Sequence, residues 1–195
     1  DQERIKNEIK KILKENRETN IIGIKGAPGT GKTLLVYDIA LEFIRKSYNV
    51  LIIHSANLNS GQYELNGSYG FKIIPIKNFN NIMNFKRYNL VIVDESQRIT
   101  KEQFNRLIDL VKNDNISIIF SFDPRQCLST MEIKTNFENL LKEVLTTKLF
   151  TLSDKIRTNP ELAQFIRCLF DRNQIREHKG ISLLRNNVRI EYCSS

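Results

Sequence analysis

The sequence predicts an α/β domain, a mainly parallel β-sheet with helices on both faces. Three observations predict it. Short apolar runs rich in Ile, Val and Phe, such as "NIIGIKG", "VLIIHS", "LVIVDE" and "ISIIFSFD", lack strict polar alternation, which is how strands read when both faces are covered. Segments of helical periodicity separate these runs, and strands alternating with helices form βαβ units whose strands are parallel. A Gly-rich stretch follows the first run and leads directly into a helical pattern, the join that a strand–loop–helix unit requires.

Taken in order, the chain opens with Ile5, Ile9, Ile12 and Leu13 at helical spacing, one apolar stripe on a charged helix. "NIIGIKG" is the first strand, and the helix after its Gly-rich loop runs from Thr33 to about Lys46. "VLIIHS" is the second strand, followed by a polar, Gly/Asn-rich stretch, "NLNSGQYELNGSYG". "KIIPI" is a further short strand, with a helix-like segment from Phe79 to Phe85. "LVIVDE" precedes the helix "KEQFNRLIDLVKN", and "ISIIFSFD" and "LFTLS" complete the series. The last segment, "NNVRIEYCSS", reads as one more strand that stops, which predicts that a further segment or domain begins there.

At 195 residues and 41% hydrophobic content the chain suits one large domain with a full core, or one domain plus the start of another. Thirty basic against twenty-two acidic side chains give a net charge of +8, a balance that attracts polyanions, nucleic acid first among them, or that simply solvates a Lys-rich surface. Cys127, Cys168 and Cys193 are far apart and form no C-x-x-C pair, so they predict reduced thiols in a cytoplasmic protein and no zinc site. No run approaches the roughly 18 apolar residues of a membrane span, and the N-terminus is too charged for a signal peptide. Its lack of an initiator Met predicts a trimmed chain.

"GAPGTGKT", Gly26 to Thr33, fits G-x-x-x-x-G-K-[ST], the loop that wraps a nucleotide's phosphates. Gly26, Gly29 and Gly31 let backbone N–H groups turn inward, and Ala27, Pro28 and Thr30 complete the wrap. Lys32 can reach the β- and γ-phosphates, the Thr33 hydroxyl can coordinate Mg²⁺, and Leu34 follows in a helix whose N-terminus faces the phosphates. These residues predict a nucleoside triphosphate with Mg²⁺. "LVIVDESQR" places Asp94 and Glu95 at a strand tip. Asp94 suits a hold on Mg²⁺. Glu95 suits a base that polarises water. Two adjacent acids predict hydrolysis rather than phosphate transfer to a small acceptor. In "IIFSFDPRQ" a strand ends at Asp123, and Gln126 lies three positions on, where an amide can sense a γ-phosphate or its attacking water.

In order and spacing these motifs resemble superfamily 1 DNA/RNA helicases, specifically their first RecA-like domain, and within that group the helicase-like family that includes the Schlafen-type NTPases. "GAPGTGKT" looks like motif I, "VDESQR" motif II, "FDPRQ" motif III and "LSDKIRTNPEL" motif IV. The resemblance implies a RecA-like P-loop domain over residues 1–186, with residues 187–195 the start of a truncated following segment or domain. It implies that the nucleotide is ATP, that Arg157 contacts the γ-phosphate and that Gln2 falls where the family's adenine-reading Gln lies. It further implies single-stranded DNA or RNA as partner, a second RecA-like domain in the full-length chain, and slow ATPase activity without that domain. Ile156 stands in place of the family's stacking aromatic, which implies weaker base affinity or adenine preference. A second function class stays open: a regulatory NTPase switch that gates a fused effector or partner without translocation.

"HSANLNS" resembles motif Ia, so Ser55 and Asn57 are candidate contacts to a nucleic-acid backbone; the same residues also organise loops through Asx-type hydrogen bonds. His54 reads as structural. Tyr63, Tyr69 and Phe71 read as a partly packed loop, with base stacking the second reading. Arg167, Arg172, Arg176 and Lys179 form a basic run that is either a solvated face or a phosphate track.

Overall fold

The computed structural model of the chain describes residues 2–15, 20–68, 70–81, 85–126, 136–144 and 147–153. Helices α1 (Gln2–Glu15), α2 (Lys32–Arg45), α3 (Ser60–Ser68), α4 (Lys101–Asn113) and α5 (Phe137–Glu143) alternate with strands β1 (Ile21–Gly26), β2 (Val50–His54), β3 (Lys72–Pro75), β4 (Leu90–Asp94), β5 (Ser117–Phe122) and β6 (Thr147–Leu152). The six strands form one sheet in the order β3-β2-β4-β5-β1-β6, and every pairing is parallel. The α/β class is as the unalternated apolar runs imply.

Alternate residues of the inner strands point to opposite faces, and both sets are apolar. Val91 and Val93 of β4 with Ile118, Phe120 and Phe122 of β5 join α4 and α5 in one core cluster. Leu90, Ile92, Ile22, Ile24 and Ile119 join α1 and α2 in the other. In the first, Phe137 meets Phe122 and Phe120 with ring centroids 5.2 and 5.5 Å apart, a spacing at which aromatic pairs attract beyond their buried area. In the second, Ile5 and Ile9 of α1 are 1% and 0% exposed, so the N-terminal stripe is a core element.

α1 is also tied to α2 by charge. Lys6 Nζ lies 2.6 Å from Asp38 and Lys10 Nζ 2.8 Å from Glu42, which also takes Lys46 at 2.9 Å. The ammonium groups of Lys10 and Lys46 hold the Glu42 carboxyl down at about 2.

Two segments differ from their sequence expectation. The Gly/Asn-rich stretch after β2 carries α3. Its start is fixed by a reciprocal cap: Asn59 Oδ1 accepts the Gln62 N–H at 2.9 Å, and Gln62 Oε1 accepts the Asn59 N–H at 3.0 Å. That pairing satisfies two otherwise orphaned donors and outweighs the weak helix propensity of Gly and Asn. Farther along α3, the Asn66 amide donates to the Ile73 carbonyl at 2.8 Å and accepts the Ile73 N–H at 2.6 Å, occupying one rung of the outer edge of β3. The helix-like segment after β3 is two short 3-10 turns, Ile76–Asn81 and Phe85–Arg87. Phe71 is 7% exposed and packs against the core, whereas Tyr63 is 63% exposed. Tyr69, motif IV from Asp154 onward with Ile156 and Arg157, the basic run from Arg167 to Lys179, and the strand expected near the C-terminus lie outside the described residues.

Candidate functional site

The C-terminal ends of β1, β4, β5 and β2 share one edge of the sheet. β5 stands between β1 and β4, so the loop after β1 and the acids after β4 flank the end of β5.

The loop after β1 folds tightly on itself. Thr30 donates through both its backbone N–H (3.3 Å) and its hydroxyl (2.9 Å) to the Ala27 carbonyl. Gly29 and Gly31 both sit at φ 80°, left-handed backbone that costs a side-chain-bearing residue strain. A Cβ on Gly26 would fall 2.5 Å from Thr30 Oγ1 and 3.1 Å from Leu152 Cβ on β6, so the bare backbone at this position lets the loop close over the strand end. Pro28 is exposed and Ala27 and Gly29 are half-buried. Lys32 opens α2 and is only 7% exposed, with its Nζ donating to the Ala27 carbonyl at 3.1 Å. Its charge therefore lies over the cradle formed by the loop. Gln2, from α1, donates to the Thr30 carbonyl at 2.6 Å, and Leu34 is 54% exposed beside the cradle.

Thr33 brings the loop to β4: its hydroxyl donates to Asp94 Oδ2 at 3.2 Å. Ser121 of β5 donates to the other carboxylate oxygen, Oδ1. Asp94 is 1% exposed. Burial pushes its carboxyl up, but the His54 imidazole and the Ser121 and Thr33 hydroxyls outweigh it and hold the group below the usual carboxylate range, so it is charged at neutral pH. Among the described residues no group of three or more His, Cys, Asp or Glu gathers as a metal cluster. A hydroxyl 3.2 Å from one charged carboxylate is instead a donor set compatible with Mg²⁺, which takes one or two carboxylates, keeps several waters, and completes its shell with phosphate oxygens. The residues present fit that ion.

Glu95 adopts a left-handed backbone, φ 57°, at the turn leaving β4. Gln97 fixes its carboxylate, donating from Nε2 to Oε2 at 2.8 Å, and Arg98 Nε lies 4.0 Å away. Gln97 is 2% exposed, and its Oε1 accepts the Asp123 backbone N–H at 3.1 Å, so the turn after β4 and the end of β5 are one network. Asp123 is fully buried; its Oδ1 accepts the Arg125 N–H at 2.9 Å, and the Gln126 N–H donates to its carbonyl at 3.2 Å. That places Gln126 on the turn beyond β5, half-buried.

At the tip of β2, Ser55 is 8% exposed; its backbone N–H donates to the Asp94 carbonyl at 3.1 Å, and its hydroxyl is buried without a partner. Asn57 is exposed and accepts from Lys77 Nζ at 3.1 Å.

The structure thus brings Gln2, Lys32, Thr33 and Asp94 together, with Glu95 next in chain. Sequence reasoning missed Ser121 and Gln97. For Ser121 a signal existed, a lone hydroxyl inside the apolar run "IIFSFD", where a buried polar group needs a partner.

Residues 19–195 match the family described as Schlafen group 3, DNA/RNA helicase domain, and the chain belongs to that family. A comparison with curated protein sequences found no match. Among solved structures, the Pif1 helicase from Candida albicans is 16% identical with a TM-score of 0.57, over 90% of this chain and 45% of that one. A DNA replication initiation factor is 19% identical with a TM-score of 0.49, over 89% of this chain and 50% of that one. The flagellar accessory protein FlaH from Methanocaldococcus jannaschii is 14% identical with a TM-score of 0.48, over 67% of this chain and 73% of that one. The chain spans about half the length of the first two; at 16% identity the likeness to the Pif1 helicase is one of fold alone, and the helicase-domain assignment rests on the family match. No helix among the described residues is long and apolar enough to cross a membrane.

Proposed function

We propose that this domain binds ATP with Mg²⁺ at the shared strand edge and hydrolyses it as the first motor lobe of a superfamily 1-like helicase or translocase. Its partners in that reading are single-stranded DNA or RNA and a second RecA-like lobe. The observation that carries the reading is the 3.2 Å contact between Thr33 and Asp94. It joins the loop whose geometry suits phosphates to the acid whose charge suits a metal.

The roles follow from the chemistry of each group. Lys32 exchanges the Ala27 carbonyl for phosphate oxygens, and the N–H groups from Gly29 to Thr33 line the cradle. Thr33 and Asp94 would hold Mg²⁺, which would supply neutralisation of phosphate charge. Glu95 takes a proton from the attacking water, and Gln126 orients that water or the γ-phosphate. Arg157 and an arginine from the second lobe add positive charge as the transition state forms. Such an arginine is worth about 10³–10⁵ in rate, so the single lobe turns over slowly. The exposed Asn57 beyond β2 and the net charge of +8 support a nucleic-acid partner; Ser55, whose hydroxyl is buried, would have to be uncovered to contribute.

Binding of a fluorescent ATP analogue and phosphate release, measured on the wild type, Lys32→Ala and Glu95→Gln, test this. Lys32→Ala is expected to lose binding or turnover. Glu95→Gln is expected to keep nucleotide and slow turnover about 10²–10⁴-fold, the range for losing a general base. Full turnover in Glu95→Gln removes that residue from its role, and a wild type that binds no nucleotide sinks the reading. In a two-lobed protein, turnover indifferent to both single-stranded DNA and RNA would leave a nucleotide switch in place of a motor.

A further inference from the structure

His54 ends β2 in register with Asp94, which ends β4. Its Nδ1 lies 3.7 Å from Asp94 Oδ2, longer than a hydrogen bond, and is buried with no hydrogen-bond partner. The same carboxylate is held by Thr33 from α2 at Oδ2 and by Ser121 from β5 at Oδ1. The imidazole is therefore a third side chain on this carboxylate, set against the oxygen that Thr33 also holds. The backbone repeats the join, since the next residue, Ser55, donates its N–H to the Asp94 carbonyl.

We propose that His54 is a positioning residue for the metal-holding carboxylate, fixing the plane of Asp94 and thereby setting how readily the domain takes Mg²⁺ with its nucleotide. The inference rests on the ATP and Mg²⁺ reading above and assigns a role to a residue that reads from sequence as structural. A carboxylate offers about four lone-pair positions, and two hydroxyls fill one on each oxygen. Those two bonds still permit some torsion about the Cβ–Cγ bond, which is soft in an aspartate. A third side chain set against Oδ2 limits that motion. Mg²⁺ demands near-ideal octahedral geometry, so a small rotation of Asp94 misplaces a ligand or a metal-bound water. Buried polar side chains are almost always partnered, and Asp94 is the acceptor facing Nδ1, so the ring is placed to close on the carboxylate once the site is loaded. Losing a partner of this kind typically costs 10–100-fold in metal affinity. A His54 that merely filled the strand end would affect packing alone.

The test is a Mg²⁺ titration of fluorescent ATP-analogue binding to the whole chain, with a parallel measurement in EDTA. Three variants decide it. His54→Asn sets an amide nitrogen at the Nδ1 position, His54→Gln sets it one bond farther out, and His54→Leu removes the polar group. His54→Leu and His54→Gln are expected to raise the Mg²⁺ half-saturation by about 10-fold or more, with EDTA affinity unchanged and His54→Asn close to the wild type. Equal half-saturation in all four proteins would overturn the inference, as would a loss of affinity that is the same with and without Mg²⁺. If His54→Leu does not fold, the Asn and Gln variants, alike in polarity, decide the question. A wild type whose nucleotide binding ignores Mg²⁺ fails at the earlier step, the proposed function.

Discussion

Gln97 holds Glu95 in place: its Nε2 donates to Glu95 Oε2 at 2.8 Å, while its Oε1 accepts the Asp123 N–H at 3.1 Å. One buried amide thus links the acid after β4 to the end of β5. Gln97→Leu is expected to lower the turnover number about tenfold, a barrier change of about 1.4 kcal/mol, with little change in nucleotide affinity. It also leaves the buried Asp123 N–H without a partner, at a cost of about 1–3 kcal/mol in stability. Steady-state phosphate release against nucleotide concentration separates the two effects, and an unchanged turnover number would show that Glu95 is aimed by something else.

Gly26 is predicted to tolerate no side chain. The Cβ of Gly26→Ala would meet Thr30 Oγ1 at 2.5 Å and Leu152 Cβ at 3.1 Å, and overpacking of this kind costs about 1–3 kcal/mol. Because the strain falls on Thr30, which shapes the cradle, nucleotide binding should weaken as well. Urea unfolding gives the first quantity, and analogue titration gives the second.

The clasp between α1 and α2 predicts acid sensitivity. The Glu42 carboxyl is depressed from 4.5 to about 2 by Lys10 and Lys46, so the folded state binds a proton less readily than the unfolded chain. Its stabilisation is complete above about pH 4.5 and is lost as pH falls toward 2. Amide protection in α1 should decline through that window, and Glu42→Gln should show lower protection at neutral pH with a flatter pH profile. Equal profiles for the two proteins would show that apolar packing alone docks α1.

α4 begins with a capping box: Thr100 Oγ1 accepts the Gln103 N–H at 3.2 Å, and Gln103 Oε1 accepts the Thr100 N–H at 3.0 Å. Thr100→Ala is expected to destabilise the domain by about 1 kcal/mol, read as a shift in the denaturant midpoint at constant slope.

The apolar runs and the Gly-rich loop made the sheet, its flanking helices and the cradle legible in the sequence. Residues 26–33 and 94–95 announce themselves because their chemistry is local: a turn that needs Gly, then Lys and Thr, and two acids at the end of an apolar run. Strand order was not legible, since nothing in the run "ISIIFSFD" says that β5 inserts between β1 and β4. Ser121 and Gln97 were missed for the same reason, because their partners are set by that insertion and lie 27 and 26 residues away in the chain. α3 was obscured by its composition, since its cap is a pairing of two side chains with backbone rather than an apolar period.

The Asn66 amide plugs the outer border of β3 by taking both the N–H and the C=O of Ile73. An unpaired border is a template on which another molecule can add a strand. Here the visiting backbone would first have to evict a side chain that already makes both bonds. Growth of the sheet into a polymer is thereby obstructed on that flank by an amide, between Pro75 and the exposed Lys72, which bound the same strand.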